Sequence, residues 1–150
     1  MPAIAAAGAG FLIAVLWFDL MFDVQVRGHS GDVLPPEVLS SISAYYRRVT
    51  SRARPMGRLV SVVMLATVAA IIAAIVQAKA PSWLEWPSLA LALGAIGLAM
   101  ARTVRNAVRL GAATDAPQVQ TQLARTIYKD HLYCLAAMIV VVGLQLSVAV

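Results

Sequence analysis

Two carboxylates near the end of the first apolar run have the type and spacing to do chemistry. Asp19 and Asp23 lie four residues apart in the stretch that begins at Trp17, so a helix would carry both on one face. The rest of this run has the composition of a membrane span. A charged side chain in a span is costly and is expected to face a protein interior or water. The spacing therefore predicts an inward-facing acidic surface at one end of the first helix.

Later segments place further polar groups at the same end of the molecule. They are Arg58 at the start of the second apolar run, Arg102, Arg105 and Asn106 at the end of the third, and Asp130 and His131 at the start of the fourth. His29 and either Tyr45 or Tyr46 lie in the loop just beyond and could fold over this mouth. We predict His131, Asp23 and Asn106 as catalytic candidates. The candidates for substrate binding are Asp19, Arg58, Arg102, Arg105 and Tyr45.

Three interpretations of this polar mouth stay open. In the first it is structural, and Asp19 is neutralised by Arg58 or Arg102. In the second it is a site between facing helices, where His131 or Asp23 acts as acid or base on a hydrophobic aromatic substrate from the membrane. The third is a metal site, which the spacing favours least, because the chain has only two histidines and neither a His-x3-His nor a Glu-x-x-His motif. We assign no metal ligands, and a heme or quinone cofactor stays open.

The composition is that of a protein whose solvent is lipid. Hydrophobic residues make up 61% of the chain and charged residues only 13%, against about 25% charged in soluble domains. The net charge of +5 raises the question of nucleic-acid binding. The arginines flank apolar runs instead of covering a soluble surface, so we predict no nucleic-acid partner.

Four apolar runs set the architecture. They cover about 3–24, 56–78, 83–103 and 131–149, and each is near the roughly 20 residues that cross a bilayer core. Backbone groups in lipid must be satisfied within the chain, which demands helices. We predict an all-α protein, an integral membrane four-helix bundle that forms a single membrane domain over residues 1–150.

The positive charges predict the orientation. Most arginines lie between the first and second runs or between the third and fourth, whereas the other side holds only Lys79. This asymmetry predicts that both long loops are cytoplasmic and that both termini lie outside, in a bacterial inner membrane. The expected partners are the lipid bilayer and anionic lipid at the cytoplasmic face.

The first long loop contains a helical pattern. Pro35 and Pro36 precede a segment whose apolar residues recur at helical spacing as far as Val49. We predict an amphipathic cytoplasmic helix between spans 1 and 2, lying on the inner membrane face or capping the bundle. Further along the chain, Gly111 is a predicted helix terminator and Pro117 a predicted helix start.

Small residues provide candidate packing surfaces. Ala6, Gly10 and Ala14 repeat every four residues in the first span, a spacing that lets membrane helices approach closely. The contacts could lie within one chain or between chains. A homo-oligomer and a larger membrane complex are therefore both open.

The second half of the chain resembles small four-span proteins of the anthrone-oxygenase-like family. The resemblance rests on Arg105-Asn106-Ala-Val-Arg109-Leu110 at the end of the third helix, and on Leu123-Ala-Arg125 followed by Asp130-His131-Leu-Tyr133 before the last. It implies cofactor-poor oxidation of an aromatic polyketide-like compound, with Asn106 and His131 as the positions carried over. The alternative function is that of a non-catalytic accessory subunit of a larger membrane complex. A transporter ranks third, because the acids lie at the end of the first span and the loops are long.

Overall fold

The computed structural model describes residues 1–52, 54–77 and 83–149, and within these ranges the chain is helical with no β-strand. The helices are α1 (Pro2–Asp23), α2 (Pro36–Arg47), α3 (Arg54–Gln77), α4 (Glu85–Leu98), α5 (Val104–Ala112) and α6 (Pro117–Ala149). A 3-10 turn (Val24–Gly28) extends α1, a π-helical turn (Arg48–Arg52) follows α2, and another (Ala99–Thr103) joins α4 to α5. The all-α class is confirmed. The predicted end of the second span at Ala78, and Lys79 beyond it, lie outside the described residues.

Four of the helical segments are long and apolar enough to cross a membrane. They are Pro2–Gly28, Pro55–Gln77, Glu85–Ala112 and Pro117–Val148. The shortest has 23 residues, about 35 Å at 1.5 Å per residue, against a hydrocarbon core of about 30 Å. The last two are longer than the predicted spans, since each continues beyond its apolar run.

The four long segments pack as a ring. α1 and α4 each contact both α3 and α6, so every long helix has two neighbours and the centre is a four-helix bundle. Its core is rich in small side chains, such as the fully buried Ala5, Ala9 and Ala92, which let the backbones approach closely. Ala14 is exposed, so the predicted small-residue stripe does not face the chain's own core. An alanine-rich helix presents small residues on several faces, and only packing selects one.

A second apolar core lies beneath α2, which packs against α5 and α6. Its buried members include Leu39, Ile42 and Tyr46 from α2, with Leu110 of α5 and Ile127 of α6. The predicted helix in the first loop is therefore present and covers one end of the bundle. Its amphipathic and cytoplasmic character stays a prediction.

The segment that leads into α2 is tied to α6. The backbone N–H of Leu34 donates to Thr121 Oγ1 over 3.0 Å, and Arg125 Nη2 donates to the carbonyl oxygens of His29 (2.9 Å) and Gly31 (2.6 Å). These hydrogen bonds satisfy backbone groups of the loop that have no partner in a helix. They hold α2 in one place over the bundle.

Gly111 has a different role from the one its sequence position suggested. α5 continues through it to Ala112, and the left-handed residue that ends the helix is Ala113, with φ 54°. A Cβ at Gly111 would lie 2.7 Å from the backbone nitrogen of Arg47 and 2.9 Å from the carbonyl carbon of Tyr46. Arg47 Nε also donates to the Gly111 carbonyl over 3.1 Å. The glycine is therefore the place where α2 docks on α5.

A polar layer separates the two apolar cores. We use this name for Asp19, Asp23, Thr103, Asp130 and His131. Along α1, Leu12 belongs to the bundle core and the following 3-10 turn contributes Val26 to the second core, with both aspartates between them. α6 repeats the order, since His131 lies between Ile127 of the second core and Cys134 of the first. The end of the bundle that carries this layer is called the polar end below.

Candidate functional site

His131 lies between the two aspartates of α1. Its Nδ1 is 2.6 Å from Asp23 Oδ2, and its Nε2 is 3.9 Å from Asp19 Oδ2. Asp23 is fully buried and His131 is 7% exposed. Both carboxylates thus point into the protein, as expected, and they face the imidazole of His131 on α6.

Two tyrosines of α2 close the same group. Tyr45 donates its hydroxyl hydrogen to Asp19 Oδ1 over 2.5 Å, and Tyr46 donates to Asp23 Oδ1 over 2.7 Å. The Tyr45 ring stacks on Phe22, with centroids 4.0 Å apart and planes 10° apart. We call Asp19, Asp23, Tyr45, Tyr46 and His131 the acid–histidine–tyrosine cluster.

The hydrogen bonds assign the imidazole tautomer. We assign the proton to His131 Nδ1, because carboxylate oxygens accept hydrogen bonds and Asp23 already accepts one from Tyr46. The 3.9 Å from Nε2 to Asp19 is beyond hydrogen-bond distance, and the structure records no other bond to Nε2 within its described ranges. Asp23 therefore orients the ring, and Nε2 is the nitrogen left to exchange a proton.

The two phenols are held neutral. Burial, together with the negative charge of Asp19, raises the pKa of Tyr45, and burial together with Asp23 raises that of Tyr46. A phenol that donates to a carboxylate would lose its bond and gain a like-charge neighbour if it ionised. Both tyrosines are therefore hydrogen-bond donors at any physiological pH.

The raised pKa values predict alkaline instability. Below pH 10, the ordinary value for tyrosine, the folded and unfolded chains both keep the proton. Above it, only the unfolded chain ionises at these two positions, so the free energy of unfolding falls as pH rises. We expect this pH dependence to be weaker in the double variant Tyr45→Phe/Tyr46→Phe. The measurement is the free energy of unfolding in detergent at several alkaline pH values. Tyr128→Phe is the control, and an equal weakening there would contradict the assignment.

Asp130 forms a separate ion pair on the other side of α6. Its carboxylate accepts two hydrogen bonds from the Arg102 guanidinium. Nε donates to Oδ2 over 3.0 Å, and Nη2 donates to Oδ1. Thr103 Oγ1 donates to the same Oδ2 over 3.1 Å. Arg102 and Thr103 both belong to the π-helical turn, a distortion that often occurs at functional sites. Adjacent residues of α6 thus serve different neighbours, Asp130 facing the α4 side and His131 facing α1.

The remaining predicted site residues are not in the cluster. Arg58 and Arg105 are exposed and Asn106 is half-buried, and in the part of the chain that the structure describes none of them bonds to the cluster. The expected pairing of Asp19 with Arg58 or Arg102 is wrong. Because α2 packs over the end of α1, its hydroxyls reach the acids first.

Three contributions were missing from the sequence-based site. Tyr46 was only an alternative to Tyr45, Thr103 was not singled out, and Asp130 was not paired with Arg102. The adjacent tyrosines were the available signal, because Asp19 and Asp23 lie one turn apart and neighbouring residues of α2 can each reach one of them. Nothing in the sequence distinguishes Thr103 from other threonines.

A shallow groove of about 440 Å³ opens beside the Asp130 ion pair. It is lined by Gly94, Leu98, Arg102, Lys129, Asp130 and Tyr133. We call it the α4–α6 groove. The acid–histidine–tyrosine cluster does not line it. As for metals, no three His, Cys, Asp or Glu side chains are grouped to hold an ion among residues 1–52, 54–77 and 83–149.

A further polar contact lies at the opposite end of the bundle. Gln145 Nε2 donates to Glu85 Oε2 over 2.7 Å, and both side chains are buried. Gln145 Oε1 has no hydrogen-bond partner among the described residues. Side-chain bonds therefore hold α6 at both ends of the bundle, to α4 through Glu85 and to the π-helical turn after α4 through Arg102 and Thr103.

Comparisons of the chain with protein-family models, with curated proteins and with solved structures found no match in any of the three. The function proposed below therefore rests on the geometry of the polar layer and on the sequence resemblance given above.

Proposed function

We propose that the chain is an integral membrane protein, with both long loops in the cytoplasm and both termini outside, in a bacterial inner membrane. The support is the outward surface of the bundle, where large apolar side chains are exposed. Examples are Val62 (61%), Leu65 (72%) and Val76 (77%), and such surfaces mark contact with lipid or with another protein. The excess of arginine at the polar end supports the orientation.

Helix lengths set the depth of the polar layer in this proposal. α6 has 33 residues, about 50 Å, which exceeds the hydrocarbon core by about 20 Å. The excess belongs at the polar end, where α2 and the second core add mass outside the bundle. The polar layer then lies at the boundary between lipid and cytoplasm, with apolar compounds on one side and a source of protons on the other.

The function that the geometry supports best is acid–base chemistry of a redox or oxygenase-like kind on a hydrophobic aromatic small molecule. The observation that carries it is the buried His131, oriented through Nδ1 by Asp23, with Nε2 left to take a proton. In this proposal Nε2 removes a proton from an acidic CH2 group of the aromatic compound, and the resulting carbanion forms a C–O bond with dioxygen. The proton returns from Nε2 to the peroxide, and loss of water leaves a carbonyl group. Tyr45 and Asp19 border the imidazole and would position the substrate. Asn106 is retained only through the family resemblance.

A specific observation favours the second candidate, a non-catalytic accessory subunit. Each aspartate already accepts a tyrosine hydroxyl, and the α4–α6 groove opens beside Asp130 instead of His131. A cluster whose two carboxylates are both bonded in this way can serve to join α1, α2 and α6 without doing chemistry. Assembly with a constant membrane partner, or with further copies of the chain, would then be its role.

Purification in mild detergent tests the two candidates together. We expect oxygen uptake when hydroxylated polycyclic aromatic compounds are added, and a fall of at least about 100-fold in His131→Gln, the scale of a lost general base. Arg109→Gln, a surface change at the same end, should keep the activity. Metal content, the absorption spectrum and co-purifying proteins are recorded in the same preparation.

The outcome decides between the two candidates. Absence of uptake with every compound, together with a stoichiometric partner, would replace the enzyme by the accessory subunit. Topology is tested separately, by labelling single cysteines placed at residues 2 and 120 with a membrane-impermeant reagent. Labelling of residue 120 from outside would overturn the orientation.

A further inference from the structure

The α4–α6 groove is built from two parallel stripes of side chains. Gly94, Leu98 and Arg102 follow each other at intervals of four residues along α4 and its π-helical turn, and Lys129 and Tyr133 do so on α6. Residues four apart lie one above another on a helix. Because α4 and α6 run in opposite directions here, the two cationic residues lie together at the polar end, and the other three lie deeper in the bundle.

The upper part of the groove carries positive charge. Lys129 is exposed, and the structure shows no salt bridge from it to any described residue. Arg102 is bound to Asp130, yet its side chain remains 53% exposed. One arginine, one lysine and one aspartate leave a net single positive charge, which complements an anion.

The lower part is apolar and open because of a glycine. Gly94 is exposed, and a Cβ there would meet only the Tyr133 hydroxyl, at 3.5 Å. Leu98 continues the floor toward Arg102. An apolar channel with cations at its boundary end matches an amphiphile with a negative head and a hydrocarbon tail.

We propose that the α4–α6 groove binds one phospholipid with an anionic headgroup. The phosphate lies between Lys129 and Arg102, and an acyl chain runs along Gly94 and Leu98. The Tyr133 hydroxyl lies beside Gly94, so its ring forms one wall of the part that holds the acyl chain. The groove is shallow and open, so the hydrocarbon chains extend beyond it into the surrounding lipid. The inference rests on the membrane insertion proposed above, but on neither proposed function.

Native mass spectrometry of the full chain tests the headgroup contact. The detergent-solubilised protein is mixed with equal amounts of phosphatidylglycerol and phosphatidylcholine. We expect one phosphatidylglycerol retained per chain in preference to phosphatidylcholine, and about five-fold weaker retention in Lys129→Gln, the effect of one cation near a lipid surface. Arg48→Gln removes the same charge from an exposed position away from the groove and should retain the lipid. Equal retention of the two lipids, or an equal loss in both variants, overturns the site.

A pair of glycine variants tests the chain contact. Gly94→Leu fills the groove, whereas Gly97→Leu places the same side chain on an exposed turn of α4 where a Cβ meets no atom within 4 Å. Only Gly94→Leu should lose the lipid, with far-ultraviolet circular dichroism showing that both variants stay helical. Retention of the lipid in a helical Gly94→Leu protein overturns the proposal. If that variant does not fold, the comparison of Lys129→Gln with Arg48→Gln decides it.

Discussion

Replacing Gly111 by alanine is expected to lower the free energy of unfolding by about 2 kcal/mol, the middle of the range for overpacked sites. The added Cβ would lie under 3.0 Å from two backbone atoms of α2, in Tyr46 and Arg47. Backbone atoms cannot rotate away as the end of a flexible side chain can. The change therefore has to displace α2 from α5, and with it the tyrosines that bond to the two aspartates.

The matched control gives the opposite sign. Gly97 is an exposed residue near the end of α4 with no atom within 4 Å of its would-be Cβ. Alanine is favoured over glycine in a helix by about 1 kcal/mol, so Gly97→Ala should stabilise the protein. Both variants are compared with the wild type by denaturant unfolding in detergent, with circular dichroism as the signal. Stabilisation in both would show that α2 does not dock at Gly111.

Replacing Asp23 by alanine is expected to lower the free energy of unfolding by about 3 kcal/mol, as when one partner of a buried pair is removed. The fully buried carboxylate accepts from both His131 and Tyr46. Its loss leaves two buried donors without an acceptor. Asp19→Ala should cost about 1 kcal/mol, because Asp19 accepts one tyrosine hydroxyl and its side chain is 18% exposed.

A double-mutant cycle isolates the tyrosine contact from the rest. If the Tyr46 hydroxyl bonds to Asp23, then Tyr46→Phe should cost much less in the Asp23→Ala protein than in the wild type, with a coupling of about 1–2 kcal/mol. Additive effects of the two substitutions would contradict this contact. The same variants report on the site itself, since the His131 imidazole resonances should shift when its orienting carboxylate is lost.

The helices were predictable because their signals are local and strong. Long apolar runs, the proline pair at the start of α2 and Pro117 at the start of α6 mark helices whatever their neighbours do. The predicted helix end near Gly111 and helix start at Pro117 already carried the last two helices past their apolar runs. The error is at the end of α5, where Ala113, not Gly111, adopts the left-handed conformation.

The candidate site was predictable only in part. Asp19, Asp23 and His131 stood out as charged or titratable groups in apolar runs, where each needs a partner. Their partners could not be chosen, because arginine, histidine and tyrosine can all satisfy an aspartate. Because α2 packs over α1, Tyr45 and Tyr46 are the residues that bond to the two aspartates of α1. The π-helical turn brings Arg102 and Thr103 within hydrogen-bond distance of Asp130.

By itself, the sequence determined the helical class, the four apolar segments and the accumulation of polar groups at one end. These follow from composition and spacing, which act within a few residues of the chain. Only the tertiary structure decided which acid meets which partner, which alanines form the core and why residue 111 is a glycine. Those choices depend on contacts between residues up to about a hundred positions apart, such as Asp23 and His131. No local pattern records which of several compatible faces a helix turns toward its neighbour.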